Sequence, residues 1–82
     1  MFTNRRGYWG HAKQRMYERG ISEESVEEAV VKGVARLGNV EGRTVYTLAS
    51  SESSTGRGME VVIEDETGDV VTVIDRGSEF EP

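Results

Sequence analysis

Residues 11–33, HAKQRMYERGISEESVEEAVVKG, decide how this chain folds. Ala12 and Met16 stand four apart and share a helix face, with Tyr8 one turn earlier. His11, Arg15 and Arg19 make a second i, i+4 row on a different face. Gly20 stops this helix, predicted over 11–19, because glycine alone takes the left-handed backbone at no steric penalty. Ser22 is a natural N-cap, since its hydroxyl can accept from a free amide of the next turn. Glu23 and Glu24 follow at the positive end of the helix dipole, and Ile21 and Val26 have hydrophobic-staple spacing. Val26, Ala29 and Val30 form the stripe to be buried, Glu24, Glu27 and Glu28 face water, and Lys32 and Gly33 close the helix. Only Gly20 and Ile21 separate the two segments, which predicts a tight helical pair.

Working outward, residues 1–9 read as an arm whose Tyr8 and Trp9 are apolar enough to pack on the body. Everything after Gly33 changes period from helical to alternating. Residues 34–40 make a weak strand, Glu41 and Gly42 a turn, and 43–49 a strand with Val45 opposed to Tyr46 and Leu48. Residues 50–58 contain no apolar side chain and predict a mobile hairpin loop or flap. Residues 59–65 form a strand with Met59, Val61 and Ile63 on one face, and Thr67 and Gly68 mark a turn. Residues 70–75 are the most apolar strand and are expected at the sheet centre. Residues 77–82 are an acidic tail in which Phe80 is the residue able to dock. The expectation is one α+β domain of order ααββββ: an arm (1–9), two helices (10–33), an antiparallel sheet of about four strands (34–76) and the tail. The helices would pack on one sheet face and leave the other open for a site.

Charge is distributed unevenly. The net charge is -5, yet residues 1–20 hold five cations and one carboxylate, whereas 21–82 hold five cations and fourteen carboxylates. Such a local field can draw a polyanion that the whole chain would repel. The chain has no cysteine, which excludes disulfides and thiolate metal sites. No apolar run reaches the ~18 residues of a membrane span, and no apolar segment follows the first residues, so a cytoplasmic location and no membrane partner are expected.

Among chemistry-bearing residues, His11 is the one histidine. Imidazole changes charge near neutrality, which suits general-base work. No set of ligands points to a metal or cofactor; Glu64, Asp65, Glu66 and Asp69 read as an acidic turn. The serines at 22, 50, 51, 53 and 54 lack a nucleophile context, and Gly56–Gly58 has no following helix to make a phosphate loop. What remains is phosphoryl transfer without a metal. RNA carries its own nucleophile, so a base and a few arginines suffice. Arg43, Arg57 and Arg76 sit at strand ends, and Trp9 and Tyr46 can stack on bases.

The stretch with the form HAxxRMxERGIS, followed by an acidic amphipathic helix, resembles an uncharacterised short-domain family. That family is similar in element order to RelE/ParE-type toxins and to the barnase/colicin/RelE-like ribonucleases. The resemblance covers roughly residues 10–76 and takes in Arg43 and the paired Val-rich strands. It implies a RelE-like fold and a metal-independent endoribonuclease of a toxin–antitoxin or related system, with ribosome-associated RNA and an antitoxin as partners. It further implies His11 as base or acid, Arg15 and Arg43 on the phosphate, and Arg5, Arg6, Lys13, Arg19 and Arg57 along the RNA. Two other readings remain: a non-catalytic module in which the acidic sheet half meets a basic protein partner, and a stable domain without activity. The readings part on geometry, because the catalytic one needs His11, Arg15 and Arg43 in one cleft.

Overall fold

A computed structural model describes residues 6–82. Two helices, α1 (Gly10–Arg19) and α2 (Glu23–Lys32), precede four strands: β1 (Val34–Leu37), β2 (Arg43–Leu48), β3 (Gly58–Glu64) and β4 (Val70–Gly77). The strands pair antiparallel with their sequence neighbours, giving one sheet in the order β1-β2-β3-β4. This is the expected α+β fold, two helices followed by an antiparallel sheet.

The helix signals act as the sequence implies. Gly20 takes φ 66°, and the Ile21 amide returns to the Met16 carbonyl at 2.9 Å. The Ser22 hydroxyl accepts from the Ser25 amide at 3.1 Å. Gly33 departs from expectation in its reason. Its φ of -72° suits any residue, but a Cβ there would lie 2.3 Å from the Ala29 carbonyl oxygen and 2.9 Å from that of Thr47. The chain therefore passes from α2 into β1 at a point where only glycine fits.

Period-2 alternation then builds the core. Leu48, Met59, Val61, Ile63, Val70 and Val73 point to one side of the sheet and meet Ala12, Met16, Val26 and Ala29 of the helices. Tyr8, Ile21, Val30 and Tyr46 close its margin. Val26, Val61 and Val70 are fully buried, each worth about 1.5–3 kcal/mol of transfer free energy. Helix α1 lies chiefly over β4, and α2 over β2 and β3, so each helix finds its main partner in the sheet.

Three expectations are corrected. First, β4 is an outer strand, with β2 and β3 inside. Its apolarity has another cause: Val70 and Val73 enter the core while Val71 and Ile74 line a hollow on the other face. A register shift between Val62 and Ile63 accommodates the extra residue. The arm also covers this edge, since Val70 donates to the Gly7 carbonyl and accepts from the Trp9 amide, both at 2.9 Å. Second, the 50–58 segment is pinned. It opens with a 3-10 turn (Ser50–Glu52), and the Ser54 amide and hydroxyl donate to the Glu28 carboxylate at 3.0 and 3.1 Å. Third, Glu27 and Glu28 do more than face water. Glu27 accepts from Arg6 at 2.6 Å, and Glu28 from Lys32 at 2.8 Å as well as from Ser54. The Lys32 bond and, behind it, the Ser54 bonds outweigh the opposing effect of desolvation and hold the Glu28 carboxyl below the ordinary glutamate range.

Candidate functional site on the open sheet face

The face turned away from the helices is set by register. Val34, Thr47, Glu60 and Ile74 form one cross-strand row, and Arg36, Val45, Val62 and Thr72 the next. Arg43 and Glu64 follow towards the end of the sheet. A glutamate in the middle of an inner strand is costly to bury unless its oxygens are paired. Glu60 is 6% exposed and fully paired. Arg76 donates to Oε1 through Nε at 2.8 Å and also through Nη2; Thr47 Oγ1 and Arg36 Nη2 donate to Oε2 at 2.9 and 3.1 Å. Burial pushes the Glu60 carboxyl up, but the bonds from Arg76, Thr47 and Arg36 prevail and leave it below the usual glutamate range.

The arginines are the outward part of this cluster. Their side chains are 55% (Arg36) and 43% (Arg76) exposed, against 7% for Glu60. Arg36 commits only Nη2 to Glu60, so its Nε and Nη1 have no partner among the described residues. Two fixed guanidinium groups over one buried carboxylate leave a local excess of positive charge facing solvent.

Two hollows flank the cluster and share Arg36, Glu60 and Arg76. The larger, about 770 Å³, has an apolar wall that includes Val34, Ala49, Phe80 and Pro82. The smaller, about 300 Å³, runs past Val45, Val62 and Val71 to Arg43. Each end of the face carries an arginine over an aromatic ring: Arg76 Cζ lies 5.7 Å from the Phe80 ring centre, and Arg43 Cζ 5.1 Å from that of Trp9. Phe80 is held there by Ser50, which is 4% exposed. The Ser50 amide donates to the Phe80 carbonyl at 2.7 Å; its hydroxyl accepts from the Phe80 amide and donates to the Gly77 carbonyl, both at 2.8 Å. The tail thus docks through main-chain bonds.

The residues singled out from sequence are placed differently from one another. Arg43 lies on the open face, paired with Glu64 at 3.2 Å. His11 and Arg15 are exposed on α1, which covers the opposite face, and line neither hollow. His11 and Arg15 therefore do not join Arg43 around the smaller hollow. The reason is the helix's own periodicity: Ala12 and Met16 take the sheet-facing side, which turns the His11 row towards solvent. Lys13 and Arg19 are exposed on the same helix. Arg6 is held by Glu27, and Arg57 by Asp75 at 2.9 Å. The Arg57 bond is the main reason that the Asp75 carboxyl lies below the ordinary aspartate range; desolvation opposes it and the Gly77 amide adds to it. Arg5 lies outside the described residues. Tyr46 packs against the core rather than presenting itself for stacking.

Residue reading from sequence missed Glu60, Arg36 and Phe80 as a group. A signal existed: a glutamate alternating with Met59, Val61 and Ile63 must face the uncovered side. Among the described residues no His, Cys, Asp and Glu side chains cluster in a way that would hold a metal ion, and no helix is long and apolar enough to cross a membrane. No protein-family model, curated protein or solved structure matches this chain.

Proposed function

We propose that this domain cleaves RNA without a metal, as a cytoplasmic toxin-type endoribonuclease, and that it works from the open sheet face rather than from α1. The observation that carries this reading is Glu60, an ionised and nearly buried carboxylate between two half-exposed arginines. Glu60 is the base. It takes the proton of a 2′-hydroxyl, whose oxygen attacks the adjacent phosphorus. The bond from phosphorus to the 5′-oxygen breaks, leaving a 2′,3′-cyclic phosphate, and the 5′-oxygen receives a proton from Glu60 or through water. Arg36 and Arg76 hold the phosphate oxygens through their planar forks.

The low basicity of Glu60 at rest opposes this role and is relieved by the substrate. A phosphate diester competes with the carboxylate for the same guanidinium groups. Each N–H drawn to phosphate is one fewer bond holding the carboxyl down, so substrate binding raises the proton affinity of the base. The resemblance over roughly residues 10–76 supports the ribonuclease class, ribosome-associated RNA and an antitoxin as partners; the base proposed here is Glu60 in place of His11, because Glu60 lies between the two arginines.

The test is RNA cleavage in EDTA by the unaltered chain, Glu60→Gln and His11→Ala. Cleavage that survives His11→Ala and drops at least ~100-fold in folded Glu60→Gln supports the reading. No cleavage by the unaltered chain, or equal cleavage by Glu60→Gln, removes it.

One observation favours a second reading, a non-catalytic protein-binding module. Strand β1 is an outer strand whose Val34 and Leu37 are exposed, beside exposed Val31 and Val40. Such an edge can accept a strand from a partner. Loss of partner capture on Leu37→Lys, with no nuclease activity in the unaltered chain, would select this alternative.

A further inference from the structure

We infer that the larger hollow is a seat for one nucleobase of the strand whose phosphate Arg36 and Arg76 hold. This rests on the proposed reading of the open face and adds to it which part of the nucleotide is recognised, and where. Three observations converge. The hollow, about 770 Å³, falls within the ~300–1,000 Å³ usual for small-molecule sites. Its wall is apolar and partly aromatic, with Phe80 and Pro82 on the tail side and Val34 and Ala49 on the sheet side. Its inner rim is the pair of guanidinium groups that also borders the second hollow. A base is flat and apolar on its faces, and it lies next to a phosphate along the chain. This hollow offers an apolar slot and a cationic rim in the same order. The Phe80 ring and the Arg76 guanidinium, 5.7 Å from ring centre to Cζ, together form a stacking platform.

Phe80 is placed by design of the backbone rather than by chance collapse of the tail. Ser50 fixes it through both its amide and its carbonyl, and Gly58 leaves room for it: a Cβ at Gly58 would lie 2.6 Å from Phe80 Cδ2 and 2.8 Å from its Cβ. Because the anchoring bonds are main-chain, Phe80→Leu removes the ring and keeps the tail in place.

Uridine 3′-monophosphate, uridine and inorganic phosphate, none of which this chemistry can cleave, are titrated into the ¹⁵N-labelled chain. The nucleotide is expected to bind roughly tenfold or more tightly than inorganic phosphate, the advantage that base stacking gives. It should shift the Ala49 and Phe80 amides. Phe80→Leu should abolish that margin, with a smaller loss of phosphate affinity because the ring also lies under Arg76. Equal affinity for nucleotide and phosphate, shifts confined to other residues, or indifference to Phe80→Leu each overturn the seat. RNA cleavage that persists while the seat fails leaves the catalytic reading standing. A Phe80-dependent nucleotide preference in a chain that cleaves nothing leaves the seat standing and removes the catalysis.

Discussion

Helix α1 and the open face of the sheet both present arginines, and they do so in opposite ways. On α1 the cations are dense in sequence, but His11, Lys13, Arg15 and Arg19 are all exposed and border neither of the two hollows. On the sheet the cations are sparse in sequence, yet Arg36, Arg43 and Arg76 are each aimed by a carboxylate, and two lie over aromatic rings. A run of positive charge creates a field, which acts on encounter. A fixed guanidinium beside a hollow creates a geometry, which is what a chemical step needs. On the proposed reading attraction falls to α1 and chemistry to the sheet, and each role can be broken separately.

The largest effect is expected at Glu60. Glu60→Ala leaves two arginines facing each other across an empty centre. Breaking a buried pair typically costs ~3–5 kcal/mol. With both arginines about half exposed, a loss of about 2–3 kcal/mol is expected, a fall of roughly 10–20 °C in Tm. Glu60→Gln keeps most of the hydrogen-bonding shape and should lose less stability, while still losing at least ~100-fold in cleavage. A Glu60→Gln chain that is stable and fully active would return the base to another residue and undo the contrast.

A smaller effect is expected at Gly58. Gly58→Ala forces a methyl group against the Phe80 ring and the Leu48 carbonyl. The tail must shift, at about 1–3 kcal/mol, and the wall of the larger hollow goes with it. Thermal unfolding and the Phe80 amide signal both report this. If Phe80 keeps its position, the tail is not the fixed wall described above.

Acid should act on the sheet and on α2. Glu60, Asp75 and Glu28 all lie below their ordinary ranges when folded. The unfolded chain, with carboxyls near ~3.9–4.3, therefore takes up protons first as the pH falls. Stability from these groups is fully present above about pH 5 and is lost as the pH drops through and below ~4. Denaturation monitored across pH 3–7 should show this fall, and Glu60→Gln should make it shallower. A profile unchanged by Glu60→Gln would mean that the sheet cluster contributes little to the folded state.

The same contrast explains what could be read from sequence. Helices announce themselves locally, through Ser22, Gly20 and the spacing of Val26 and Ala29, so their limits fell within a residue or two. Strand alternation gave the two faces of β2 and β3. The order of strands was not legible from apolarity alone. Residues 70–75 are apolar because β4 lines a core on one side and a hollow on the other, although it lies outermost. The site was less legible still. Arg36, Glu60 and Arg76 are separated by 24 and 16 residues, and only the register of three strand pairs brings them together. His11 is chemically distinctive, but its residue type does not say which face it will occupy.

The smallest effects are expected on α1, and they are the sharpest test because they are close to zero. His11→Ala and Arg15→Ala remove exposed side chains on a face flanking Ala12 and Met16. Stability should stay within about 0.5 kcal/mol, as for other surface changes away from special features. Cleavage under saturating RNA should be unchanged, because neither side chain borders the hollows around Glu60. What should change is encounter. Removing Arg15 weakens the local field, so kcat/KM should fall modestly at low salt, and the difference should fade as salt rises and the Debye length shortens to ~8 Å near 0.15 M. A drop in kcat itself for His11→Ala, independent of salt, would place the imidazole at the reacting phosphate. It would also show that α1 and the sheet face act as one site.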